Sequence, residues 1–99
     1  NKVQKWFGAE VRNVAGLGDR SAYGLEDESG VIMLKVPAGS PAAKLGLQED
    51  DVIVGFNGKK LESIEQLTAH LASVKDKEPA TLEFMRGQDR RKATIQGKQ

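Results

Sequence analysis

The chain has no cysteine, one histidine, one tryptophan, one tyrosine and three prolines in 99 residues. Without cysteine there is neither a disulfide nor a thiolate metal site, which fits either side of a membrane. With a single histidine, acid–base chemistry has to rest on His70. A nucleophilic triad needs a base held against a nucleophile and oriented by an acid, and nothing around His70 marks one. No apolar run approaches the roughly 18 residues of a membrane span, and the chain does not open on a secretory signal. A start at Asn1 rather than Met reads as a fragment of something longer, here one domain over residues 1–99. Charge of one sign is lacking too: 15 basic against 14 acidic side chains leave a net charge of +1, so no nucleic-acid partner is expected. Arg86, Arg90, Arg91 and Lys92 are the one local excess, and they read as a solvated hairpin. The acidic triplets 26–28 and 49–51 read as a solvated loop and the solvated start of a strand. Neither has the alternating ligand spacing of a calcium loop, so neither metal nor cofactor is expected.

What the chain does have is a punctuated pattern of short strands and helices. Trp6, Phe7, Gly8 and Ala9 form a tight loop leading into a possible strand, Glu10 to Val14. Such a loop can turn several backbone N–H groups toward one anion, and Gly8 lets a ligand approach the backbone closely. Residues 15–30, with four glycines and an acidic cluster, read as a long loop whose middle Ala22, Tyr23 and Leu25 anchor. GVIMLKV (30–36) reads as a buried strand, followed by a short helix with Ser40 as its cap and Pro41 at its first position. DVIVGFN (51–57) is a strand with an Asn57-Gly58 turn after it. Ser63 and Gln66 have capping-box spacing, and Ile64, Leu67, Leu71 and Val74 make the apolar stripe of a helix over 63–74. His70 lies roughly 100° off that stripe, at an exposed or groove-rim position. Residues 80–85 and 92–95 read as a closing hairpin. The sum is an α+β domain: a small, partly open antiparallel β-barrel or sandwich of five to six strands capped by two helices.

Gly39-Ser40-Pro41-Ala42-Ala43, Gly46-Leu47, Asp51-Val52-Ile53 and Asn57-Gly58, at these spacings, resemble the body of a PDZ domain. The arrangement is most similar to PDZ domains of bacterial envelope serine proteases of the high-temperature-requirement family. The resemblance implies a groove in which a partner's C-terminus lies between a strand and the longer helix, its carboxylate held by a loop of the GLGF type. Carried over, Trp6, Phe7, Gly8 and Ala9 are the carboxylate loop and Glu10, Val11, Arg12 and Asn13 the peptide-pairing edge strand. Ile64, Leu67, Thr68 and Leu71 face the groove, with Leu67 and Leu71 equally readable as plain core. Lys5 or Lys2 would add positive charge. Gly16-Leu17-Gly18-Asp19 is a competing match by letters. There Asp19 would set a carboxylate beside the incoming one, a repulsion of about 4 kcal/mol at 4 Å for an effective dielectric of 20, so the Trp6 register is preferred. Ala9 replaces the larger residue usual at the end of this loop, which leaves ligand preference open.

Three functions fit. The first is a peptide-binding module that captures C-terminal or extended segments by adding a strand and serves a protease domain in the parent chain. The second is a docking appendage of another secreted hydrolase, for example a carbohydrate-processing one. The third is structural packing. Partners are therefore protein C-termini or unfolded segments, the fragment itself is no enzyme, and the resemblance implies a periplasmic, cell-envelope or secreted location.

Overall fold

The computed structural model describes residues 2–73 and 79–96, so the place expected for Val74 on the helix stripe lies outside the described residues. In chain order the elements are β1 (Gln4–Trp6), β2 (Ala9–Asn13), α1 (Gly16–Tyr23), β3 (Val31–Lys35), α2 (Pro41–Lys44), β4 (Val52–Phe56), β5 (Lys59–Lys60), α3 (Ile64–Ser73), β6 (Pro79–Arg86) and β7 (Asp89–Gln96). All pairings are antiparallel, and the sheet runs β1-β2-β3-β4-β6-β7 with β5 attached to β4. This is the expected α+β architecture with an open sheet, carrying more strands than expected and a third helix.

Period-2 alternation divides the apolar side chains between the two faces of the sheet. Val11, Val31, Met33, Ile53, Leu82 and Phe84 pack with Ile64, Leu67 and Leu71 of α3 in the main core. On the opposite face Ile32 and Val52 meet Val14 and Leu25, with Tyr23, Leu34, Val54 and Met85 at the edge. The helix starts follow the sequence. Ser40 Oγ accepts from the Ala43 N–H at 3.2 Å with Pro41 behind it, and Ser63 Oγ accepts from the Gln66 N–H at 3.1 Å. Gln66 Oε1 reaches back to the Glu62 N–H at 2.7 Å, one residue before the cap.

Two expectations change. The 15–30 stretch is not all loop, because α1 occupies half of it despite glycines at 16 and 18. Low propensity is overridden at both ends of the helix. Asp19 accepts from the Ala15 N–H at 2.8 Å, and Gly24 closes the helix in the left-handed region (φ 66°), with the Leu25 N–H donating to Arg20 O at 2.9 Å. Tyr23 and Leu25 do anchor the segment, whereas Ala22 is exposed. Asp51 is not solvated either: it is only 1% exposed and takes a two-pronged ion pair from Arg86, Nε to Oδ1 at 3.0 Å and Nη2 to Oδ2 at 2.9 Å. The Gln48 N–H donates to the same carboxylate at 2.8 Å, and Arg86 also reaches Gly46 O at 2.8 Å. The bond to Asp51 holds the Arg86 guanidinium above its ordinary pKa.

Candidate functional site

The loop Trp6-Phe7-Gly8-Ala9 is a two-residue hairpin turn. Phe7 (φ 50°) and Gly8 (φ 78°) both lie in the left-handed region, the signature of the primed turns that suit the twist of a β-hairpin. Glycine is required at position 8 on a second count, since a Cβ there would meet Ser40 Cβ at 3.0 Å and Pro41 Cδ at 3.1 Å. The Ala42 N–H in the first turn of α2 donates to Phe7 O at 3.0 Å and clamps the turn to the body. Phe7 stacks on Trp6 with ring centroids 4.5 Å apart.

The turn folds β1 back along β2, pairing Gln4 with Val11, Lys5 with Glu10 and Trp6 with Ala9. The other side of β2 pairs with β3. Glu10 to Asn13 is therefore not wholly a free edge, contrary to expectation, because the three residues ahead of the turn pair with Ala9, Glu10 and Val11 and fill that part of the side that was to receive a peptide. Trp6 is 4% exposed and belongs to the same buried cluster as Ile64, Leu67 and Leu71. Its indole N–H is buried without a hydrogen-bond partner among the described residues.

The helix side of the groove is tied to both strands. Asn13 Oδ1 accepts from the Ile64 N–H at 2.7 Å and so supplies part of the α3 cap. Glu65 accepts from Gln4 Nε2 at 3.0 Å and from Asn13 Nδ2 at 3.2 Å, which holds its carboxyl below the usual range, the Gln4 bond contributing most. Ile64, Leu67 and Leu71 point into the core as a stripe should, and Thr68 is exposed with its hydroxyl turned back on Ile64 O at 2.8 Å. Arg12 leaves the groove altogether, gripping Asp19 of α1 at 2.6 and 3.0 Å. That grip, together with the Ala15 N–H, lowers the Asp19 pKa, and it raises that of Arg12. Lys5 sits 3.9 Å from Glu10 in an exposed pair rather than beside a carboxylate seat.

Gly16 to Asp19 opens α1 and does not lead into a strand, so the competing register has no strand to offer a peptide. His70 is half-buried rather than fully exposed, stacked on Phe56 of β4 at 5.3 Å and 16°. The sheet's other face carries an open depression of about 550 Å³ beside Leu25, Val54 and Met85, edged by the Lys60–Asp27 and Arg90–Glu83 ion pairs. The strand-and-helix geometry lies elsewhere, in a groove where β1 is already seated.

A family model of the PDZ domain matches residues 7–96. The chain belongs to the PDZ family. This PDZ domain is 32% identical over 90 residues to "Probable periplasmic serine endoprotease DegP-like" of Pseudomonas savastanoi pv. phaseolicola, covering 91% of this chain and 19% of that protein. A protein of the same name from Chlamydia trachomatis is 47% identical over 47 residues, 48% of this chain and 10% of its own length. The PDZ domain thus spans a tenth to a fifth of these relatives. Among solved structures, the HtrA3 PDZ domain bound to a phage-derived ligand (FGRWV) superimposes with a TM-score of 0.70 at 26% identity, over 96% of this chain and 86% of that one. The HtrA-type protease AlgW with a decapeptide gives 0.69 at 20% identity, over 95% of this chain and 29% of that one, a likeness of fold. The PDZ fold is a binding module, so catalysis is not the business of this stretch. Gln4 and Glu65 are the groove residues that sequence reasoning missed. The only signal for β1 was glycine at the second position of a two-residue turn, preceded by an atypical phenylalanine.

Proposed function

We propose that this PDZ domain binds C-terminal or extended peptide segments by strand addition along β2, in the groove it forms with α3, and that it does so for a protease domain in a longer parent chain. The observation that carries the reading is the groove's present content: an antiparallel strand seated on β2 with a large aromatic side chain buried toward α3. Main-chain pairing of that kind ignores sequence, and the pocket for one side chain supplies the choice. The peptide would pair with residues 10–13, set its last side chain among Ala9, Ile64, Leu67 and Leu71, and bring its carboxylate to the Phe7-Gly8 turn. Ordering a flexible peptide costs about 0.5 to 1.5 kcal/mol per immobilised side chain, so affinity is expected in the micromolar range. Relatives named as periplasmic serine endoproteases favour a protease as parent and the periplasm or cell envelope as the place of action.

The test is an amide chemical-shift titration with peptides offered as free acids and as carboxamides. Shifts at Phe7 to Asn13 and along α3, present with the acid and lost with the amide, support the reading. Docking without peptide capture is the second reading, favoured by the occupied groove, and it predicts no shift with either form at millimolar peptide.

A further inference from the structure

We infer that β1 is a built-in competitor for the peptide groove, an internal ligand that has to leave before an external segment can pair with β2. The inference rests on the reading of that groove as the peptide site and adds how access to it is controlled. β2 has two edges; β3 holds one, and β1 covers the other over Ala9 to Val11. β1 runs toward the Phe7-Gly8 turn, the direction a peptide would take if its carboxyl end were held there. Trp6, the last residue of β1, is buried where such a peptide would set its final side chain, and Gln4 reaches Glu65 across the groove.

The same strand is poorly secured. It has three residues, where strands usually have five or six. Among the described residues the Trp6 indole N–H lies buried without a partner, and Phe7 adopts a positive φ that a side chain disfavours. The Lys5–Glu10 pair is largely solvated and holds little. An incoming extended peptide with a bulky apolar last residue replaces β1 strand for strand. Its apparent affinity is lowered by the fraction of molecules in which β1 is docked.

Lys5 and Glu10 lie directly opposite each other, a separation a disulfide can span, and the chain has no cysteine to interfere. The probe is a synthetic peptide copying residues 2–6, Lys-Val-Gln-Lys-Trp, with a free carboxylate. In the Lys5→Cys/Glu10→Cys variant, the oxidised form is expected to give no shifts on β2 or α3 at millimolar peptide, and reduction of the same sample to restore them. Gln4→Pro, which deletes the Gln4 N–H and the Glu65 contact, is expected to bind the probe at least tenfold more tightly than the parent sequence. Its dispersed amide spectrum from β3 to β7 would show that the fold is kept. Equal binding by oxidised and reduced forms, with shifts on β2 and α3, overturns the internal-ligand inference while leaving the peptide site standing. Absence of binding in every form, Gln4→Pro included, overturns the peptide site and the inference with it.

Discussion

Replacing Trp6 by Phe and by Ala separates what its ring contributes from what its N–H costs. Trp6 is buried in the main cluster, and its indole N–H has no partner among the described residues. Phe gives up about 40 Å² of apolar surface, about 1 kcal/mol at roughly 25 cal/mol per Å². It also removes an unpaired buried donor, whose burden is about 1 to 3 kcal/mol. Trp6→Phe should therefore lie between neutral and about 2 kcal/mol more stable. Ala loses the whole ring, commonly about 3 to 5 kcal/mol in a core, and relief of the donor returns part of that. Trp6→Ala should be destabilised by about 2 kcal/mol, roughly 8 to 16 °C in Tm for a domain of this size. Urea unfolding with a shared slope is the assay. A Trp6→Phe variant that loses as much as Trp6→Ala would refute the reasoning, because the indole N–H would then have to be making a bond that stabilises the fold.

Arg86→Leu leaves the Asp51 carboxylate buried with one backbone donor and without its counter-charge, so a loss of about 3 to 5 kcal/mol is expected by chemical denaturation; a loss below about 1 kcal/mol would contradict the pairing. Asp19→Asn should cost about 1 kcal/mol at neutral pH. The Asp19 carboxyl is held below its ordinary 3.8 by Arg12 and the Ala15 N–H, so its contribution is complete above that value and is lost as pH falls below it. The gap between Asp19→Asn and the parent protein should accordingly close as pH falls below the ordinary carboxyl value of 3.8, and a gap that persists in strong acid would show that the loss is not ionic. Gly8→Ala forces a side chain into a left-handed turn and against Ser40 and Pro41; it should cost about 1 to 3 kcal/mol in thermal unfolding, and an unchanged Tm would show that the turn has another form.

Much of this fold was legible because local chemistry and tertiary structure agree. Ser40 with Pro41, Ser63 with Gln66 and the stripe Ile64, Leu67, Leu71 announce helices that the core then uses. β3 and β4 read as buried strands for the same reason. What stayed hidden depends on partners distant in sequence. α1 is a poor helix by composition, and the Arg12–Asp19 grip and the Gly24 cap hold it in place. Asp51 is 35 residues from Arg86, and no spacing rule pairs them. The loop and helix of the groove were placed by resemblance, yet its occupancy was not visible, since Gln4 and Lys5 show no apolar alternation and Trp6 is the one apolar side chain that β1 buries.

The most direct measurement is a set of intermolecular NOEs between the Lys-Val-Gln-Lys-Trp peptide and the methyl groups of the Gln4→Pro variant, in which the groove is expected to stand open. NOEs from the peptide's tryptophan to Val11, Ile64, Leu67 and Leu71 are the predicted result, because they place the peptide between β2 and α3. NOEs confined to Leu25, Val54 and Met85 would put it in the hollow on the opposite face of the sheet and contradict the account of the groove.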